Sequence, residues 1–351
     1  MSTPIRKAMV LCAGLGTRLH PITHKIPKPI VEVLNIPNLF HILHLLKRVG
    51  VTEVIVNLFH LTDRMESFIS NQSNLGINFH FSKEGPLLGT GGGVKRAEAF
   101  LKDNDFILAN CDFVTDLNLN PIIESHLSNK SMATMVLIQD ERRQRLYSRV
   151  GMDENNILCS LPKLETKRPT QSGIFTGIHI LNPSILSMLE DRPSGINDTL
   201  YPHLMKEKPA AARGYLERSA FWYDTGDIDA IWYASMELLR LVLNGNSLFK
   251  ELNQSFQMNY HEIKKGIWLE DGAKLPSNLN LIPPVVIAKD STFGTSISLG
   301  PYAIIGRGCS LANGASITTS VLLQGAEVSA DTPIANSLCF EGTVLLAKPI
   351  V

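Results

Sequence analysis

Two domains are predicted: an α/β layer domain over residues 1–242 and a short parallel β-helix over residues 267–351, joined by a connection over 243–266. Three observations carry this prediction. Strand-like and helix-like segments alternate from residue 7 to about residue 240. A glycine loop, Gly14-Leu15-Gly16-Thr17-Arg18, closes the first apolar strand. From Ile287 onward an apolar residue recurs at every sixth position.

The elements follow in order. Lys7–Cys12 is a short apolar run ending at glycines and reads as a buried strand. Asn38–Val49 sets Leu39, Ile42, Leu43, Leu46 and Val49 at helical spacing. Glu53–Leu58 is rich in β-branched residues, and Asn78–Ser82 and Phe106–Ala109 read as further strands. Thr134–Gln139 and Ile174–Leu181 repeat the pattern, so the expected sheet is largely parallel. In such sheets ligands bind beyond the carboxyl ends of the strands. Both the Gly14–Arg18 loop and Asp112 follow strands at that rim.

Leu243–Gly266 is polar and weakly patterned, as a connection would be. Beyond it Ile287, Phe293, Leu299, Ile305, Leu311, Ile317 and Leu323 keep a six-residue step, with glycines and small residues between. That period predicts a parallel β-helix of about two to three coils, each stacking its apolar residue inward. It fades at Ser329 and Ala335.

Composition bounds the partners. The chain has 351 residues, 44% apolar and 19% charged, with 33 Lys+Arg against 33 Asp+Glu. This is a globular protein without the net positive charge that draws nucleic acid non-specifically. The five cysteines, Cys12, Cys111, Cys159, Cys309 and Cys339, are scattered and form no Cys-x-x-Cys pair. Reduced thiols in a cytoplasmic protein are the expectation, not a disulfide framework or a zinc site. The apolar run Ala8–Ala13 is too short for a signal peptide or a membrane span.

The chemistry concentrates near the N-terminus. A Gly-x-Gly turn lets backbone N–H groups approach phosphate oxygens, although alone it is only a tight turn. It is not a P-loop, and the third glycine of a dinucleotide fingerprint would fall at Leu19. Arg18 adds a bidentate cation. Lys28, held between Pro27 and Pro29, adds a second cation on a stiff backbone. His41 and His44 have a metal-like spacing but no third ligand, and Arg142, Arg143 and Arg145 read as a solvated charge run. Packing is the expected role of Trp222.

The run Gly14-Leu15-Gly16-Thr17-Arg18-Leu19-His20-Pro21-Ile22-Thr23, then Pro27-Lys28-Pro29, resembles the sugar-1-phosphate nucleotidyltransferases. The resemblance continues through Glu84–Gly93, Asn110-Cys111-Asp112, Phe175-Thr176-Gly177 and Trp222-Tyr223-Asp224-Thr225-Gly226. It implies a Rossmann-like three-layer domain followed by a left-handed β-helix of hexapeptide repeats. It also implies condensation of a nucleoside triphosphate with a sugar 1-phosphate, releasing pyrophosphate. Within the family the chain is most similar to mannose-1-phosphate guanylyltransferases and N-acetylmuramate-1-phosphate uridylyltransferases. Gly91-Gly92-Gly93 and Phe175–Ile178 lean to the second, the β-helix to the first.

By this resemblance Cys12, Ala13, Gly14, Leu15, Gly16, Thr17, Arg18, Lys28, Glu84, Gly89 and Thr90 bind the nucleotide. Asn110 and Gly177 meet the sugar phosphate, and Asp112 and Asp224 hold Mg2+. Arg18, Lys28, Asp112 and Asp224 form the catalytic set. A Glu carboxylate only accepts hydrogen bonds, so Glu84 suits guanine or uracil, leaving GTP and UTP or dTTP as candidates. Three departures stand out. Cys111 replaces the frequent Gly or Ser, Cys12 replaces the usual Ala, and Leu161-Pro162-Lys163 lacks the Glu of the sugar-binding Glu-Lys-Pro motif. Three other readings compete. A β-helix acyltransferase would want a His base, and residues 262–351 hold no histidine. A nucleotide-sensing regulatory subunit would be expected to lose part of the catalytic set. A Rossmann dehydrogenase lacks its third glycine. Self-association through the β-helix is expected, because its few coils expose apolar edges.

Overall fold

The computed structural model describes residues 5–72, 75–140, 143 and 146–348. The first elements are β1 (Lys7–Leu11), α1 (Asn38–Arg48), β2 (Glu53–Leu58), α2 (Thr62–Ser70), β3 (Asn78–Lys83), α3 (Gly89–Arg96) and β4 (Phe106–Asn110). β3, β2, β1 and β4 lie side by side in parallel register, with Lys7 opposite both Glu53 and Phe106. β1 is apolar on both faces because both are covered. Ala8 and Val10 join the cluster that contains α1, whereas Met9 joins the cluster on the other face. Three layers result.

The sheet is mixed, not largely parallel as expected. After β5 (Phe113–Thr115) and β6 (Ala133–Ile138), strand β7 (Gln171–Leu181) runs antiparallel to both β4 and β6. A parallel return needs a crossover, usually a helix. Among the described residues between β6 and β7 there is none. Three short strands, Arg149–Met152, Leu158–Leu161 and Leu164–Glu165, form an antiparallel arm there. α4 (Ile196–Glu207) then leads to β8 (Ala212–Glu217), which is parallel to β6. β9 (Trp222–Asp224) leaves the main sheet and pairs antiparallel with β5, setting Asp224 opposite Phe113. α5 (Ile228–Leu243) is capped by Asp227, whose side chain accepts the Ala230 N–H at 2.9 Å.

The connection expected over 243–266 is not a bare tether. Leu248–Ser255 forms helix α6 with Leu248, Phe249 and Leu252 buried, and Tyr260–Lys264 pairs with Ile267–Glu270. Polar residues around those three hide the helical spacing in the sequence.

The C-terminal residues form a three-faced β-helix. One face stacks Ile267–Glu270, Val285–Ile287, Ala303–Ile305, Ser320–Leu322 and Ser337–Phe340, and antiparallel strands flank it at both ends. The other faces have four and three strands. The prediction of two to three coils was therefore short. Ala303 pairs with Ser320 and Leu311 with Val328, so the third coil is one residue shorter than the second. The inward series passes through Leu322, Val328 and Ile334, not Leu323, and the apparent fading at Ser329 and Ala335 is this slip. Leu323 points the other way, into the core shared with the N-terminal domain. Among the bonds that tie the domains, Trp232 Nε1 donates to Thr319 O at 2.8 Å and Asn35 Nδ2 to Ile305 O at 2.9 Å. No described helix is long and apolar enough to cross a membrane.

Candidate active site

The parallel strands β1, β2 and β4 end on one rim, and a cavity of about 240 Å3 opens there. Cys12, Gly14, Lys28, Asn57, Asn110 and Asp112 line it, with Gly89 and Thr90 on its far wall. Gly16 turns the loop with φ +64, and a β-carbon there would stand 2.8 Å from Thr23 Cγ2. Gly14 faces open space, so its backbone is accessible from the cavity. Thr17, Arg18 and Leu19 form a single helical turn after the loop, and Leu15 is exposed. Lys28 follows Pro27 and begins a further such turn, which sends its side chain back to the rim.

Three distant segments converge on the same place. Lys28 Nζ lies 2.7 Å from Asp112 Oδ2, and both side chains are mostly buried. Asp224 joins them because β9 pairs with β5 directly after Asp112, and the Thr225 N–H donates to Asp112 O at 2.8 Å. Burial first, and then the Asp112 charge, raise the Asp224 carboxyl to about 6, while Arg18 and Lys28 pull it down. Arg18 reaches Asp227 at 3.7 Å and lies against Gly226, where a β-carbon would meet Arg18 Nη2 at 2.5 Å. Two carboxylates brought together in this way repel each other unless cations share the space. Their all-oxygen donor set suits a hard divalent ion such as Mg2+, which takes its remaining ligands from water and phosphate. Among the described residues no cluster of three or more His, Cys, Asp or Glu forms a closed metal cage.

Other predicted residues sit differently. Glu84 is one layer behind the cavity. Its Oε1 accepts from Asn57 Nδ2 and its Oε2 from the Leu88 N–H, both at 2.8 Å, so its carboxylate holds the loop before α3. This carboxylate is buried and serves two protein donors, so the contacts it makes in the structure are to the loop and to Asn57. Thr90 Oγ1 accepts the Ile196 N–H at 2.8 Å, tying α3 to α4. Gly91 has a packing reason, since a β-carbon would meet Ser194 Oγ at 2.5 Å, and Gly92 abuts Arg192 O. Gly177 has φ +88 and packs on Asn110. Arg143 is not part of a solvated run. It is buried, pairs with Asp140, and stacks over Tyr223 at 4.8 Å from the ring centre. Arg142 and Arg145 lie outside the described residues. Trp222 is a packing residue whose Nε1 donates to Thr176 O, and His41 and His44 are core residues.

Sequence reasoning missed Asn57. It accepts the Cys12 N–H at 2.8 Å and donates to Glu84, linking the glycine loop to the far wall. A lone polar residue inside the apolar strand Glu53–Leu58 was the available signal. Tyr147 was also missed. Burial and the Asp224 charge push its hydroxyl up to about 12. It lies at the mouth of a second cleft, about 610 Å3, that Leu161, Pro162, Lys163 and Phe175 help to line. A cleft of about 650 Å3 between the two domains contains none of the converging acids.

Residues 7–240 match the Nucleotidyl transferase family. A UTP–glucose-1-phosphate uridylyltransferase of Synechocystis sp. is 27% identical, covering 95% of this chain and 87% of that protein. Mannose-1-phosphate guanylyltransferase 1 of Arabidopsis thaliana is 28% identical over 95% of this chain and 85% of its own length. The crystal structure of HddC from Yersinia pseudotuberculosis aligns with a TM-score of 0.56 at 25% identity, covering 67% of this chain and 100% of that one.

Proposed function

The chain belongs to the nucleotidyl transferase family, and from that premise we propose that it transfers a guanylyl group from GTP to mannose 1-phosphate. The coarser reaction, nucleotidyl transfer to a sugar 1-phosphate, agrees with the relatives on both sides of the base choice. The observation that carries the reading is the convergence of Lys28, Asp112 and Asp224 on the rim where the glycine loop ends.

In this reading an oxygen of the sugar phosphate attacks the α-phosphorus in line, and the bond to pyrophosphate breaks. Both reactants are anions, so the task is to align them and offset charge. The loop from Ala13 to Thr17 offers backbone N–H groups to the triphosphate, while the Cys12 N–H is held by Asn57. Arg18 and Lys28 draw its phosphates and stabilise the departing pyrophosphate. Asp112 and Asp224 would hold Mg2+, whose charge, when bound, offsets that of the phosphates. Asn110 and the Gly177 backbone face the sugar phosphate, with the sugar directed past Tyr147 toward the Leu161–Lys163 cleft. Glu84 acts through the loop it holds. Assembly into a homo-oligomer through the β-helix is part of the same reading. It is supported by Val344 and Leu346, exposed on the edge strand Thr343–Leu346.

The test is pyrophosphate release from a panel of nucleoside triphosphates and sugar 1-phosphates. GTP with mannose 1-phosphate is expected to give the highest kcat/KM. The Synechocystis relative favours a second reading, a uridylyltransferase, which turnover with UTP alone would establish. Nucleotide binding without turnover of any pair would replace both with a regulatory subunit.

A further inference from the structure

The two cysteines that depart from the resembled pattern are neighbours in space. β1 and β4 are parallel, and Leu11 pairs with Asn110 as the last registered residues. Cys12 and Cys111 are the next residue on each strand. Adjacent strands run about 4.8 Å apart, within the Cα separation of roughly 4.4–6.8 Å that a disulfide spans. Both residues line the rim cavity, side by side at the ends of neighbouring strands. Cys12 opens the glycine loop and Cys111 precedes Asp112, so one S–S bond would join the two walls of the site.

We propose that Cys12 and Cys111 form a redox-sensitive dithiol on the floor of the cavity, oxidised to an intramolecular disulfide by a low-molecular-weight disulfide such as oxidised glutathione. One thiol, losing its proton, attacks oxidised glutathione, whose S–S bond breaks and releases one glutathione. The second thiol then attacks the protein sulfur of the mixed disulfide and releases the other. Two S–H bonds break, one protein S–S bond forms, and the two electrons and two protons leave on two molecules of glutathione. All five cysteines are buried; Cys309 and Cys339 lie in the β-helix core and Cys159 on the strand Leu158–Leu161, whereas Cys12 and Cys111 border the cavity. Burial raises the Cys12 thiol well above its usual range, so the exchange is followed over hours.

Closing the two sulfurs to an S–S bond of about 2.05 Å draws Cys111 and the loop together. It displaces Asp112 and the loop amides from their places. A misplacement on the order of 1 Å can cost about 10²-fold in rate. A nucleoside triphosphate in the cavity covers both thiols, so it slows their oxidation.

The experiment incubates the full chain with oxidised glutathione, alone or with saturating GTP or UTP. Free thiols are counted after denaturation, and the bridge is mapped by mass spectrometry. The expected result is a fall from the five free thiols of the sequence to about three, with the bridge at Cys12–Cys111. Protection by the nucleotide the enzyme uses and recovery with dithiothreitol complete the expectation. Each protein is compared with its own reduced form. Cys111→Ser is expected to form no bridge and to stop at no more than a single glutathione adduct on Cys12, whereas the unmodified chain forms the bridge and loses about 10- to 100-fold of its activity. In the unmodified chain an unchanged thiol count overturns the proposal, as does a bridge at Cys309–Cys339 or a stable single glutathione adduct. A Cys12–Cys111 bridge that forms at the same rate whichever nucleotide is present overturns its placement in the substrate cavity. Thiol count and map do not depend on the reaction assigned, so they stand apart from failure of the function reading.

Discussion

Gly226→Ala separates the position of Arg18 from the stability of the fold. The added β-carbon would lie 2.5 Å from Arg18 Nη2 and 3.1 Å from Asp224 Oδ1. Ordinary contact begins at 3.4 Å, so the guanidinium must retreat by close to an ångström. Its side chain is 60% exposed and free to swing outward, which keeps the folding cost small. Its place beside Asp224 is then lost. A displacement of this size can cost about 10²-fold in rate, or roughly 2.7 kcal/mol of transition-state stabilisation. The assay is steady-state pyrophosphate release with the best substrate pair, beside a thermal melt. The expected result is kcat lowered by about 10- to 100-fold with Tm changed by no more than about 2 °C. A variant within about threefold of the unmodified enzyme would refute the claim that Arg18 works from the Gly226 side.

Asp112→Asn removes the charge that Lys28 pairs with and one of the two acids proposed to hold Mg2+. Turnover should fall by about 10²–10³-fold, with the far-ultraviolet circular dichroism unchanged; near-normal turnover would exclude Asp112 from the metal site. Asn57→Ala strands the Cys12 N–H and leaves Glu84 Oε1 without its donor. It should destabilise by about 1–3 kcal/mol and raise KM for the nucleotide, and a melt and KM both unchanged would contradict the linking role. Glu32→Gln tests a partly buried acid. Burial holds Glu32 up to about 7, with Arg307 opposing, against 4.5 for the unperturbed group. Between those values the folded chain binds more protons than the unfolded one, so stability is lost as pH rises. Glu32→Gln should therefore match the unmodified chain near pH 4.5 and exceed it at pH 8, by at most about 1–3 kcal/mol. Parallel pH–Tm curves for the two proteins would contradict the shift.

How much the sequence disclosed depended on the range of the contacts. β1, α1 and β2 were legible because their apolar spacing is local, and the structure places them within a residue of the expected bounds. The antiparallel return of β7 was not, since the direction of a strand is set by what connects it. The meeting of Asp112 with Asp224 depends on two three-residue strands, Phe113–Thr115 and Trp222–Asp224, too short to carry a pattern. Arg143 looked like a surface charge because charge runs usually are. Its burial depends on Asp140 and two rings more than seventy positions away. In the β-helix the six-residue period was visible until one residue dropped out of the third coil, after which inward and outward positions exchange. Glu84 shows another limit. The resembled motif pointed to a ligand role for its carboxylate, but its hold on the loop before α3 is visible only in its partners.

The β-helix bears on the active-site rim through the segment that carries Lys28. That segment is anchored to the β-helix on both sides: Lys25 pairs with Glu341 at 2.7 Å, and Asn35 Nδ2 donates to Ile305 O. Between these anchors Pro27 and Pro29 leave the backbone few alternatives, so Lys28 is held by a fixed strut. The first anchor is an exposed ion pair, worth little in isolation. The second is buried, and so are Leu323, Val321 and Leu338, which share one apolar cluster with Trp232 and Leu239 of α5. Removing the β-helix would expose that face of α5 to water and free both ends of the Lys28 strut. Position of the lysine and solubility of the N-terminal domain are therefore coupled through the same interface, and an assembly role for the β-helix does not exhaust what it contributes to the site.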